Sequence, residues 1–249
     1  MRDPIRLIDL QYRALVSRAR YNDRMGSSSE REPLNAVLTI TEIFKSIQGE
    51  STWAGMPCTF VRLTGCNLAC AYCDTAYARD GGTALTVREI IERCAALKCD
   101  LVEITGGEPL CQAECATLVT CLIERGYTVL VETNGSLSIS VLPAAAVTIM
   151  DIKCPGSGMH DRTDWSNVEA IEPKDEIKFV IANRADYEWA RDVSGKYALA
   201  ARCKAVLFAP VFGALEPRAL ASWIAEDGLN VRLQVQLQKY IWRPDERGV

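Results

Sequence analysis

The chain has 249 residues, of which 49% are apolar, and a net charge of −4. That is enough apolar material for one large α/β domain or two small ones, and it lacks the positive field that a broad nucleic-acid or anionic-membrane surface needs. No apolar run approaches the roughly 20 residues of a membrane span, and eleven cysteines without a secretory apolar region point to a reducing cytoplasm, not to a disulfide scaffold.

Residues 1–36 form an extension of different character. Ile5, Ile8, Tyr12, Leu15 and Ala19 fall on one helical stripe ringed by arginine, and the polar linker "MGSSSEREP" follows. Asp3, Asp9 and Asp23 argue against a mitochondrial transit peptide. Two readings stand: a docking helix, or translation from Met25 with incidental residues upstream. From residue 37 a single catalytic domain is expected. "VLTITEIF" and "CTFVRLTG" read as strands. "TVREIIERCAAL" reads as a helix with Val87, Ile90, Ile91 and Cys94 inward, opened by a Thr86–Glu89 capping box. "LVEIT" is a strand. "QAECATLVTCLIERG" is a helix stopped at Gly126, with Cys115, Leu118, Val119 and Leu122 inward. "YTVLVET", "AVTIMDIK", "EIKFVIA", "KAVLFA" and "VRLQVQL" are further strands, and "PRALASWIAEDG" is a helix between Pro217 and Gly228. Apolar strands alternating with helices predict an α/β fold with a mainly parallel sheet. About eight strands with several short connections predict a partial or modified TIM-type barrel with irregular, shortened helices.

Polar residues gather where these strands end. "LVEIT" runs into Gly106-Gly107-Glu108-Pro109, "VLVET" ends at Glu132, "VTIMDIK" ends at Asp151 and Lys153, and "FVRLTG" delivers Arg62. In a parallel barrel this C-terminal rim is where active sites form. Each piece alone is also an ordinary turn or rim ion pair. The stretch "GCNLACAYCDT" is more specific. Cys66, Cys70 and Cys73 stand at C-x3-C-x2-C in one loop, one thiolate short of a closed zinc site or a simple iron–sulfur cluster. Both metals suit thiolates. A cubane on three cysteines leaves one iron open to a bidentate amine and carboxylate. The other eight cysteines read as small buried hydrophobes: Cys94, Cys115 and Cys121 on helix faces, and Cys58, Cys99, Cys111, Cys154 and Cys203 elsewhere.

The triplet, the "GGEP" strand end and Tyr72 before the third cysteine resemble the radical S-adenosylmethionine enzymes. Together with "EIFKSIQGEST", "VETNG" and "DIKCPGSG" they resemble, from about Leu38 onward, the 7-carboxy-7-deazaguanine synthases within that superfamily. The resemblance implies a 4Fe-4S cluster on Cys66, Cys70 and Cys73 whose open iron is chelated by S-adenosylmethionine. It implies radical ring contraction of 6-carboxy-5,6,7,8-tetrahydropterin with loss of ammonia, on the route to queuosine and other 7-deazapurines. S-adenosylmethionine is then contacted by Tyr72, Cys73, Asp74, Gly107, Asp151, Ile152 and Lys153. The pterin is lined by Ile47, Gln48 and Gly49, its carboxylate is met by Arg62, and Thr105 and the chain end at Val249 also reach it. Thr75 is implied to hold Mg2+, a cation that prefers few protein oxygens. A homodimer and an electron donor such as flavodoxin or ferredoxin are implied as partners.

Two positions depart from the resemblance: Ser51 stands where many members carry glycine, and Gln238 where related chains often carry histidine. Two rivals stay open. A glycyl-radical activating enzyme shares the cysteine spacing, although "SIQGE" disfavours it. A non-enzymatic iron–sulfur or zinc protein would use the triplet structurally and leave the strand-end residues without purpose.

Overall fold

The computed structural model describes residues 32–249. The proposed docking stripe at Ile5–Ala19 therefore lies outside the described residues. Packing begins upstream of the first strand, because Leu34, in a short turn at Pro33–Asn35, is buried in the core.

The strands are β1 (Val37–Ile47), β2 (Pro57–Leu63), β3 (Thr83–Thr86), β4 (Leu101–Gly106), β5 (Thr128–Thr133), β6 (Val147–Asp151), β7 (Glu176–Ile181), β8 (Ala205–Pro210) and β9 (Arg232–Leu233). They form one open nine-stranded sheet in the order β3-β1-β2-β4-β5-β6-β7-β8-β9. β1 runs antiparallel to both β2 and β3, and every other pair is parallel. The helices are α1 (Val87–Leu97), α2 (Cys115–Glu124), α3 (Asn167–Ala170), α4 (Arg184–Lys196), α5 (Leu199–Arg202), α6 (Pro217–Asp227) and α7 (Gln238–Ile241). Parallel pairing demands a crossover between strands, and several crossovers here are reduced to single turns. The result is the partial barrel with shortened helices that the sequence predicts, left unclosed at β3 and β9.

Strand parity decides the two faces. Successive side chains alternate sides. Val61, Leu63, Val102, Ile104, Val129 and Val131 point outward onto the core beneath α1 and α2. Ile177, Phe179, Val206 and Phe208 do the same in a second core that includes Tyr187 of α4. A third, smaller cluster of Cys58, Phe60, Cys99, Leu101, Leu130 and Ile149 fills the bottom of the inner face. Above it, the same parity brings Arg62, Glu103, Thr105, Glu132, Asp151 and Lys178 onto one cavity wall.

α1 starts at the expected capping box: Thr86 N–H donates to Glu89 Oε2 at 2.7 Å and Glu89 N–H donates to Thr86 Oγ1 at 3.2 Å. Thr86→Ala is expected to cost about 1 kcal/mol, which lowers the melting temperature by roughly 2–4 °C in calorimetry.

Four expectations change. β3 is a four-residue strand that its sequence, Thr-Ala-Leu-Thr, gives too short a period to reveal. α4 was not expected, because its charges and Gly195 dilute the apolar stripe of Tyr187, Ala190 and Val193. Its entry signal was present: Asn183 caps it by accepting from Asp186 N–H at 3.0 Å. "VRLQVQL" pairs only at Arg232–Leu233 before leaving the sheet. Finally, Cys111 is exposed, unlike the other cysteines outside the triplet.

Candidate active site

The cluster loop leaves β2 at Gly65 and is fastened from several directions. Gly65 N–H donates to Ala78 O (2.8 Å), and Gly65 O accepts from Glu108 N–H (2.8 Å). Ala71 N–H donates to Ser157 O (3.0 Å), which ties the loop to the turn after β6. The Tyr72 hydroxyl donates to Val180 O on β7 (2.9 Å), and Asn67 is held by Asn134 and Ser136. The three thiols sit in this frame, with Cys66 and Cys70 half-buried and Cys73 exposed.

Two glycines let the frame close. A Cβ on Gly107 would lie 2.3 Å from Gly65 O and 2.6 Å from Cys66 Cβ. Gly107 is thus required by the cluster loop itself, besides any approach to a cofactor. Gly106 has a φ of +152° and lies against Leu63. Glu108, which follows Gly107, is fully buried and joins two strand ends: its carboxylate accepts from Leu110 N–H (3.0 Å), Asn134 N–H (2.6 Å) and the Thr133 hydroxyl (2.8 Å).

The loop faces a cavity of about 280 Å3. On the far side lie Ile47, Gln48 and Gly49, at the end of β1. Gln48 is fixed at both ends, because its amide donates to Glu103 while its carbonyl accepts from Glu50 N–H at 3.0 Å. Burial, then the neighbouring Glu132 and Glu50 carboxylates, push the Glu103 acid well above the usual range. Arg62 and Thr105, paired across β2 and β4, occupy the wall between. Arg62 Nε is committed to Glu42 Oε1 at 2.7 Å, and Glu42 also accepts from the Tyr77 hydroxyl at 2.8 Å. Arg247 lies over the Tyr77 ring, and Val249 reaches the cavity lining beside it.

A strap at Gln234–Lys239 crosses the mouth. Leu237 N–H donates to Gly49 O (3.0 Å), and Gln236 and Gln238 both donate to Glu50 Oε1 (3.1 and 3.0 Å). Lys239 grips Asp74 at 2.7 Å. Burial pulls the Asp74 carboxyl upward, but Lys239, its hydrogen bond and Gln236 outweigh this and hold it at about 2. Thr75 donates to Asp74 Oδ1 at 3.0 Å and makes no cap to the turn that follows, although a cap is the ordinary use of a threonine there.

The structure thus brings nearly all the expected site residues to one cavity. Ile152 is the exception. It is fully buried in the second core, its N–H donates to Lys178 O (2.8 Å), and it is absent from the lining. Parity explains this: Asp151 points inward, so its neighbour on the strand points outward. Glu103 and Lys178 were missed, although each is a charge interrupting an apolar strand, as Arg62 is.

Ser51 has a φ of +63°, in the left-handed region that favours glycine. Its hydroxyl accepts from Trp53 N–H at 3.1 Å, which offsets part of the strain. Ser51→Gly is expected to leave stability within about 1 kcal/mol of the parent or above it in chemical denaturation.

The donor set fits a cluster with an additional chelating ligand. Three soft thiolates on one loop at the cavity are the ligands an iron–sulfur cluster takes, and they leave one iron for a further ligand. Asp151 Oδ1 and Gln238 Oε1 are buried acceptors without a hydrogen-bond partner among the described residues. An ammonium and an amide edge are the groups that satisfy such acceptors.

Thiols in one loop at the C-terminal edge of parallel strands, with glycines at the next strand end, define a radical S-adenosylmethionine protein, and residues 60–152 match the Radical SAM superfamily model. The chain is 48% identical over 217 residues to 7-carboxy-7-deazaguanine synthase of Chlorobaculum tepidum, covering 86% of this chain and 98% of that one. It is 43% identical over 226 residues to the synthase of Koribacter versatilis, covering 85% and 100%. The crystal structure of QueE from Escherichia coli superposes with a TM-score of 0.70 at 20% identity, covering 85% of this chain and 99% of that one, and shares the fold. The chain belongs to the 7-carboxy-7-deazaguanine synthase family.

Among the described residues, no helix is long and apolar enough to cross a membrane.

Proposed function

We propose that the chain forms 7-carboxy-7-deazaguanine from 6-carboxy-5,6,7,8-tetrahydropterin, with loss of ammonia. The observation that carries this is the meeting, in one cavity, of the cluster loop with Gln48, Arg62 and Thr105, in a chain 48% identical to a named synthase. Atoms balance without a net oxidant or reductant, since product plus ammonia equals substrate.

Cys66, Cys70 and Cys73 hold the 4Fe-4S cluster, which with S-adenosylmethionine supplies reductive cleavage and a carbon-centred radical when bound. The chain supplies position and exclusion of water. Asp151 Oδ1 accepts from the cofactor's ammonium, and Lys153 holds Asp151 in place at 2.7 Å. Tyr72, Asp74 and Gly107 complete that side of the cavity. Gln48, aimed by Glu103 and Glu50, pairs with the amide edge of the pterin. The terminal nitrogens of Arg62 meet its carboxylate, while Glu42 fixes the guanidinium plane. Ile47, Gly49, Thr105 and Val249 close around the ring. The exposed Cys73 leaves one edge of the loop open to an electron donor such as flavodoxin or ferredoxin.

Thr75 is the proposed Mg2+ ligand. Its hydroxyl is not used as a cap, it borders the cavity, and one hydroxyl with substrate oxygens and water is a sound Mg2+ environment. Thr75→Ala is expected to keep the cluster absorption and to raise the Mg2+ concentration needed for half-maximal turnover about tenfold. An unchanged Mg2+ titration removes Thr75 from that role.

The deciding assay uses anaerobically reconstituted protein with dithionite, S-adenosylmethionine, Mg2+ and the carboxytetrahydropterin. Mass spectrometry is expected to find 7-carboxy-7-deazaguanine, with S-adenosylmethionine used in less than stoichiometric amounts. No product from protein with an intact cluster defeats the reading.

A further inference from the structure

Lys178 lines the cavity and no expected role uses it. It sits in the middle of β7, 4% exposed. An ammonium in that position is costly unless it is paired. Its partners come from three directions. Glu50 Oε2, on the loop after β1, lies 3.0 Å away, Glu132 on β5 makes a direct ion pair, and Asp151 on β6 lies 4.0 Å away.

The two closest partners differ in what they have left to offer. Glu50 is the most constrained: one oxygen takes Lys178 and the other takes the amides of Gln236 and Gln238. Glu132 gives one oxygen to Lys178, and its second has no protein partner among the described residues, although the side chain lines the cavity. A carboxylate fixed by one oxygen and open at the other is a prepared acceptor. The pyrimidine edge of a pterin presents an amide N–H beside an amino group, two donors that suit such an acceptor. Asp151, by contrast, has its own lysine in Lys153 at 2.7 Å.

We propose that Lys178 is a positioning residue for the pterin: it ties Glu132 to the fixed Glu50 at the end of the cavity occupied by Gln48 and so presents the open Glu132 oxygen as the acceptor that orients the ring. Its close contacts, Glu50 and Glu132, lie away from the cysteine loop, and Asp151, 4.0 Å away, keeps its own ion pair with Lys153, so the larger effect falls on the pterin. This rests on the synthase reading above.

The test compares Lys178→Met, which keeps length and removes charge, with Lys178→Arg, which keeps charge. Cluster absorption and thermal melting report folding. Lys178→Met is expected to raise the KM for the carboxytetrahydropterin by at least about tenfold, while the KM for S-adenosylmethionine stays within about threefold. The fluorescence titration of 6-carboxypterin, an oxidised analogue with the same amide edge, is expected to weaken by a similar factor without turnover. Lys178→Arg is expected to recover part of the loss in both measurements. If Lys178→Met does not take up a cluster, Lys178→Arg decides alone: a pterin KM raised about threefold or more, with that for S-adenosylmethionine unchanged, upholds the role. Unchanged pterin affinity in the folded variants, or equal losses for both ligands, overturns it. A parent chain that makes no product overturns the synthase reading and this inference with it. A parent that is active with indifferent Lys178 variants overturns the inference alone.

Discussion

Cys70→Ala is expected to abolish product formation. Cys70 is the middle thiol of the loop, half-buried, and its carbonyl accepts from Cys73 N–H at 3.3 Å, so the two thiols share one turn. Removing even a supporting partner of a metal ligand typically costs about 10–100-fold, and removing one of three ligands exceeds that. Iron content and visible absorption after anaerobic reconstitution should fall with the activity. Cys111→Ala serves as the control. Cys111 is exposed and outside the triplet, and its loss should leave both readings at the parent level. A Cys70→Ala protein with full iron and turnover contradicts the assignment of the triplet.

Gly107→Ala should be nearly as damaging without removing a single ligand. The added methyl meets backbone at 2.3 Å on Gly65 and the Cys66 side-chain stem at 2.6 Å. Neither is the free end of a flexible side chain, so the cluster loop has to move. Overpacking of this kind costs about 1–3 kcal/mol, and displacement of a reacting group by about 1 Å costs on the order of 100-fold in rate. The expected result is a lower denaturation midpoint, reduced iron uptake and turnover down by about two orders of magnitude. The neighbouring Gly106 would suffer for a different reason, a φ of +152° against Leu63. A Gly107→Ala protein with parental turnover would show that the loop has slack the packing denies.

The chemistry of the site was legible because it is local. Three cysteines within eight positions, and strand ends marked by glycine or charge, announce themselves in the chain. What stayed hidden depends on parity and on distance. Glu103 and Lys178 sit in mid-strand, where apolar neighbours on the outward face conceal the inward charge. They become visible only when β4 and β7 are placed around the same cavity as β5 and β6. Ile152, which the resemblance implies together with Asp151 and Lys153, turns its side chain away from the cavity for the same reason in reverse, because extended chain sends neighbours to opposite sides. α4 was lost because its buried stripe is thin and its surface charged. The first part of the strap, within "VRLQVQL", was read as strand because its alternation is real, yet Gln234 and Gln236 use that alternation to reach loops instead of a partner strand.

That strap has a consequence for the order in which the protein comes into being. Gln234 meets Gly49 across 185 positions of chain, and Lys239 meets Asp74 across 165. Synthesis proceeds from the first residue, and early segments fold while later ones are still being made. The cysteine loop and the Gln48–Glu50 loop therefore emerge long before the segment that ties them together. The contacts that join these loops across the cavity are therefore among the last the chain can make.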